Sequence, residues 1–230
     1  ILIGLGGTGA RVVEAAVMAM AAGMGPTALS VLLIDSDGAH GNGERTAQLL
    51  TRYHQFRHAW TGGAHMVDYS ATDAPDFGRA MVQPLLPHGR WQWTPPPEVA
   101  SLSAIAQGVP QPLLHALFLP NGAEAGRQVQ HGLGGRAHVG AALFGALFEP
   151  AHPVIRNVRE ALADGARVVL VGSGFGGTGV GAMMALHMAL RGAEKRGGSV
   201  HAMVMPPYFE HGEDAGELAL RTQLAERALR

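Results

Sequence analysis

Short, wholly apolar runs alternate along this chain with longer stretches of helical spacing. Ile1–Leu5 is apolar and reads as a strand, and the glycines of Gly6–Gly9 predict a turn outside regular structure. Ala10–Ala22, rich in Ala, Val and Met, predicts a buried helix that Gly23–Pro26 ends. Leu29–Ile34 is a continuous apolar run, the mark of a parallel strand covered on both faces, with Asp35 at its carboxyl end. From about Gly38 to Gln130 the pattern turns irregular, with Pro84, Pro87 and Pro95–Pro97 around Trp91 and Trp93, and reads as an elaboration within the domain. Helical spacing returns over His138–Ala163, broken near Pro150 and Pro153. A strand at Val168–Val171 and a second glycine-rich turn follow, then a helix at Gly181–Arg191 that is apolar nearly all round and therefore expected in the interior. Val200–Met205 reads as a strand, Pro206–Gly212 as a loop, and Glu213–Arg230 as an exposed amphipathic helix with Glu217 facing Arg221. This alternation predicts one α/β domain over residues 1–230, a Rossmann-like, doubly wound parallel sheet with a long insertion after the second strand, binding its ligand at the carboxyl ends of the strands.

Composition narrows the function classes. With 230 residues, 47% of them apolar, the chain can bury a substantial core. The net charge is −1 and no long run of one sign occurs, so neither nucleic acid nor an anionic membrane is an expected partner. The absence of cysteine excludes disulfides, thiolate metal sites and thiol nucleophiles, and fits a cytoplasmic setting. The chain opens inside an apolar run without Met, as a piece of a longer protein would. Lys195 is the single lysine and follows neither glycine turn, whereas a Walker-type P-loop ends in a lysine that reaches the β- and γ-phosphates.

The candidate chemistry lies in the glycines. Gly4-Leu5-Gly6-Gly7-Thr8-Gly9 fits G-x-G-x-x-G between a strand and a helix, where bare N–H groups and the helix dipole can meet a phosphate. A tight structural turn accounts for such a match as well. Asp35 has the position of the acid that binds a ribose hydroxyl in dinucleotide folds. The second run, Gly172-Ser173-Gly174-Phe175-Gly176-Gly177-Thr178-Gly179-Val180-Gly181, again joins strand to helix and repeats Gly-Gly-Thr-Gly. Two such turns at one sheet edge can grip one polyphosphate from two sides.

Gly176–Gly181 resembles the GGGTG[ST]G signature of the tubulin/FtsZ family, in which a first glycine loop and this later one surround the phosphates of GTP. Asp35-Ser36-Asp37 is similar to that family's Asn-Thr-Asp. His131–Gly140, with Gly134-Gly135-Arg136, resembles the loop that approaches the γ-phosphate, and Val204–Glu210, with Pro207-Tyr208-Phe209-Glu210, resembles the Lys-Pro-Phe loop. The resemblance implies a divergent bacterial tubulin-like protein that binds GTP or GDP with Mg²⁺, with ATP and NAD left open, and that self-associates into filaments or oligomers. It implies phosphate and nucleotide contacts from Gly6, Gly7, Thr8, Gly9, Asp35, Asp37, Gly134, Gly135, Arg136, Gly174, Phe175, Gly176, Gly177, Thr178 and Gly179, and no metal site made by protein ligands alone. Phe175 replaces the first glycine of the signature, Val180 its second hydroxyl, and Asp35 the family's Asn. The family's base-contacting Asn, central helix and acidic hydrolytic loop have no counterpart in these residues, so no catalytic residue is assigned and any GTPase activity is expected only on assembly.

Other features carry less. His54 and His58 lie at i, i+4 without a carboxylate nearby, which favours a solvated helix face over a metal site. Ser173 is not on a G-x-S-x-G elbow, since position 171 is Val. Trp91 and Trp93 can stack a base, but pinning a loop is the simpler role. The competing functions are a Rossmann-type NAD(P) oxidoreductase, an adenylating enzyme like the ThiF group, or a regulatory module that binds without turnover.

Overall fold

The computed structural model describes residues 1–38, 41–62, 80–99, 128–129, 132–194 and 197–206. In chain order the described elements are β1 (Leu2–Leu5), α1 (Gly6–Ala21), β2 (Ala28–Ile34), α2 (Gly41–Gly62), β3 (Met81–Pro84), β4 (Gln92–Trp93), α3 (Ala137–Leu147), α4 (Pro153–Ala163), β5 (Arg167–Ser173), α5 (Gly177–Leu190) and β6 (Ser199–Met205). The strands form one parallel sheet in the order β3-β2-β1-β5-β6, with the two-residue β4 continuing the β3 edge along the far half of β2. β1 therefore sits between β2 and β5, with Leu5 opposite both Ile34 and Gly172. The winding reverses at this β1–β5 boundary, so the connections leave room for a ligand beyond the strand ends there.

Alternation of side chains along the strands divides the core in two. Ile3, Leu5, Leu32, Ile34, Val168 and Leu170 point to one face and pack with Val139, Leu143 and Phe144 of α3, Val154, Ile155, Val158 and Leu162 of α4, and Leu186 and Leu190 of α5. Leu2, Val31, Leu33 and Val171 point to the other, under Ala10, Val13, Val17 and Met20 of α1 and Leu50 of α2. Burial on both faces is why the strands read as unbroken apolar runs. Among the described residues, no helix is long and apolar enough to cross a membrane.

Three expectations are corrected. Gly6–Gly9 is not a turn outside regular structure but the first turn of α1. The reversal from strand to helix is completed by Gly6 alone, at φ +67°, a left-handed conformation that glycine adopts without strain. The region after Gly38 is not irregular throughout, since α2, β3 and β4 lie in it and both strands belong to the main sheet. Its two tryptophans pin it: the Trp91 carbonyl accepts from Leu33 N at 2.8 Å and its buried ring joins the α1–α2 core. Trp93 packs on Phe148 and His152, each with ring centroids 5.1 Å away. Finally, α5 begins at Gly177 and is not interior all round, for Met184 and Met188 are about 60% exposed (61% and 60%). Its apolar composition serves the inner side, where it crosses α3, and leaves an outer methionine face. The region 207–230, including Pro207–Glu210 of the expected Lys-Pro-Phe-like loop and the terminal helix, lies outside the described residues, as does His131.

The α3–α5 crossing has backbone against backbone. A Cβ on Gly181 would collide with the Gly140 carbonyl group and Ala141 N, and one on Gly140 with the Gly177 carbonyl. None of these atoms can swing aside. Gly181→Ala is therefore expected to lower unfolding free energy by about 2–3 kcal/mol in urea denaturation. Gly145→Ala, on α3 with nothing within 4 Å of the new methyl, should instead stabilise by about 0.5–1 kcal/mol through helix propensity.

Candidate functional site

Beyond the carboxyl ends of β1, β2 and β5 opens a cleft of about 340 Å³. Its walls come from both glycine turns, from the Gly132–Gly134 loop before α3, from Asp35 and Ser36 after β2, and from Asn42 on α2. The two turns meet closely, since a Cβ on Gly6 would lie 3.3 Å from the Thr178 Cβ. Each is pressed onto strand backbone by one glycine: a side chain on Gly9 would strike the Val171 carbonyl, and one on Gly179 would sit 2.7 Å from the Ser173 carbonyl oxygen. A larger hollow of about 710 Å³ lies at the opposite, amino-terminal ends of the strands, against Met20, Met24 and Leu29. Two of its polar side chains, Gln83 and Ser30, bond each other at 3.1 Å, and neither of the two Gly-Gly-Thr-Gly turns lines it.

The helix ends at the cleft are bare. An α-helix leaves its first N–H groups without intrahelical partners, and side-chain caps or acidic residues ordinarily answer them. α1 has Leu5 at its N-cap, with no side-chain cap bond and no acidic residue in its first turn. α5 has Gly176 there, again without a cap bond or an acid. α3, entered from the Gly132–Gly134 loop, likewise has no side-chain cap bond and no acid in its first turn, whereas α4, which does not line the cleft, is capped by His152 Nδ1 accepting from Val154 N at 3.3 Å. The cleft thus receives two positive helix ends that the protein leaves unanswered.

Its floor is a chain of hydroxyls ending on a carboxylate. Thr178 Oγ1 donates to Asp35 Oδ1 at 3.2 Å, and Ser36 Oγ lies 3.1 Å from Thr178 Oγ1. Thr178 has a single proton, so with that proton on Asp35 it is Ser36 that donates to Thr178. Ser36, Ser173 and Thr178 are all buried, and Ser173 Oγ accepts from Gly176 N at 3.0 Å, bracing the second turn. That bond gives Ser173 a structural task, in keeping with its absence from a nucleophile elbow. Burial pushes the Asp35 carboxyl up to about 6, against the pull of bonds from the Asp37 backbone, Thr178 and the Ser36 backbone; the Asp37 charge adds to the rise.

Of the residues singled out from sequence, the cleft brings together Gly6, Gly7, Thr8, Asp35, Gly134, Phe175, Gly176, Gly177, Thr178 and Gly179. Gly9, Asp37, Gly135, Arg136 and Gly174 are not among the lining residues. Gly9 packs on β5, Asp37 N donates to Asp35 Oδ1 at 3.4 Å, and Gly174 N pairs with the Met205 carbonyl at 2.9 Å. Gly135 turns the chain at φ +76°, and Arg136 is the N-cap of α3, with Nη1 3.5 Å from the Gly134 carbonyl oxygen. Five lining residues were not singled out: Ser36, Asn42, Gly132, Leu133 and Ser173. Four of them lie within the quoted motifs, though not among the contacts expected from them. Asn42 alone comes from the stretch read as irregular, where Leu49, Leu50 and Tyr53 carry a helical spacing that pointed to α2. His54, on that helix, has its ring against the Val82 carbonyl (3.3 Å) and edge-on to Trp91.

Compared with protein-family models, curated proteins and solved structures, the chain finds no match in any of the three.

The raised Asp35 carboxyl makes stability depend on pH. The folded protein holds this proton up to about pH 6 and the unfolded chain only to about 3.8. The resulting stabilisation is full below pH 4 and is lost as pH rises through 6, a change of roughly 3 kcal/mol. Asp35→Asn keeps the acceptor for Thr178 and removes the charge. Urea titrations of the ligand-free protein should show the variant up to about 3 kcal/mol more stable at pH 7, with the wild-type slope between pH 4 and 6 abolished.

Proposed function

We propose that this chain is a nucleotide-binding domain of the tubulin/FtsZ type, holding GTP or GDP by its phosphates between the Gly6–Gly9 and Gly174–Gly179 turns. One observation carries the reading: two helices without caps or first-turn acids open into a single cleft at the point where the sheet reverses its winding. A polyphosphate supplies what those ends lack, and no lysine is needed to hold it. The Gly132–Gly134 loop then approaches the phosphates from the α3 side, as the family resemblance implies.

Magnesium suits the donors present. Asp35, Ser36 and Thr178 offer hard oxygens, and among the described residues no group of three His, Cys, Asp or Glu could cage a cation by itself. An ion here would be held largely by phosphate oxygens and water, neutralising charge that Asp35 would otherwise repel. Nucleotide-dependent self-assembly, with hydrolysis only in the assembled state, belongs to the same proposal and is read out by light scattering with GTP and then GDP.

A second reading rests on the strand order and on Asp35 at the end of β2, both of which suit a dinucleotide held by the first turn alone. It leaves the second bare helix end without a ligand group. Calorimetric titration with GTP, GDP, ATP and NAD in magnesium buffer separates the two. The guanine nucleotides are expected to bind at micromolar concentration. Thr8→Asp places a carboxylate in the bare first turn of α1, which favours the helix dipole and opposes the ligand. This variant should melt no earlier than wild type yet bind GDP roughly 10- to 100-fold more weakly. Tight binding of NAD alone would promote the dinucleotide reading, and failure of all four to bind would end both.

A further inference from the structure

We propose that Asn42, on the first turn of α2, is a third arm of the cleft and donates its side-chain amide to the phosphates of the bound nucleotide. The proposal rests on the phosphate reading of the cleft and adds a residue that neither the glycine motifs nor the family resemblance assigns. Asn42 lines the cleft opposite the first turn, and a Cβ on Gly7 would lie 3.3 Å from its Nδ2. Gly7 is the second residue of α1, so its N–H is among those the helix leaves unanswered. The Asn42 amide is thus beside the groups that would hold the anion.

Two further observations separate this role from an ordinary helix-end asparagine. An asparagine at such a place commonly caps its own helix by accepting from a backbone N–H one turn on. Asn42 makes no such bond and has no hydrogen-bond partner among the described residues. Its place on the backbone is nonetheless anchored, because the next residues strap α2 to α1. Arg45 Nη2 donates to the buried Glu14 Oε1 at 2.7 Å, and Thr46 Oγ1 donates to the Ala10 carbonyl at 3.2 Å. An amide on a helix strapped in place, half-buried and without a partner among the described residues, at a cleft whose described lining includes one carboxylate, Asp35, and no Lys, Arg or His, is a neutral donor in the place where an anion needs one.

The test is calorimetric titration of GDP and, separately, inorganic pyrophosphate into wild type, Asn42→Ala and Asn42→Asp in magnesium buffer. A donor lost to a charged acceptor should weaken both probes roughly 10-fold in Asn42→Ala. Asn42→Asp, equal in size but anionic, should weaken both by more, at least ~30-fold. Melting temperatures should stay near wild type, and if the alanine variant melts early the isosteric aspartate carries the comparison. Wild-type GDP binding that both variants reproduce would overturn the Asn42 assignment and leave the nucleotide reading standing. Loss of GDP affinity with pyrophosphate unaffected would overturn its assignment to the phosphates. No GDP binding by wild type would remove the underlying reading, and this inference with it.

Discussion

Everything at the cleft follows from the parallel pairing of β1 with β5, two strands more than 160 residues apart that meet with Leu5 opposite Gly172. A strand that ends in a tight turn delivers the following helix with its amino end toward the strand's carboxyl end. When two such units lie side by side, their helix ends are brought together whether or not they share a ligand. Like ends of helix dipoles repel. Here neither end carries an acidic residue or a side-chain cap to relieve that repulsion. The fold accepts a local electrostatic cost that an anion between the ends removes.

Asp35 adds a cost of a different kind, that of its own burial. Its carboxyl is desolvated beside the Thr178 and Ser36 hydroxyls, and burial shifts it toward the neutral form. A buried acid with hydrogen bonds is tolerable when it can take up its proton near pH 6, but a naked polyphosphate brought beside it would drive it further from ionisation. A cation arriving with the phosphate reverses that pressure. On the proposed reading, charge at the site is balanced by what binds and not by the described side chains that line it, which include no Lys or Arg.

The sheet, its parallel sense and the helices after both glycine turns were legible because burial on two faces writes itself as uninterrupted apolar runs, as in Leu29–Ile34 and Val168–Val171. The start of α1 was misplaced because four closely spaced glycines carry low helix propensity, while the first turn of a helix makes few intrahelical bonds and barely tests it. β3 and β4 were hidden for a different reason. They are short edge pieces, one ending in Pro84 and the other two residues long, and their order depends on β2 and the tryptophan packing more than on any local preference. Asn42 escaped notice since a lone amide has no spacing rule, and only the strap from Arg45 to Glu14 places it. Thr8 and Thr178, marked by the repeated Gly-Gly-Thr-Gly, did come to one cleft.

The contact of α3 with α5 at Gly140 and Gly181 has a mechanical meaning. Side chains between helices act as cushions, since rotamer changes absorb small displacements. Where two backbones touch directly, that compliance is missing, and a tilt of one rod is passed to the other almost undiminished. α3 is led in by the Gly132–Gly135 loop and α5 by the Phe175–Gly177 turn, so these two walls of the cleft must advance or retreat as one rigid jaw.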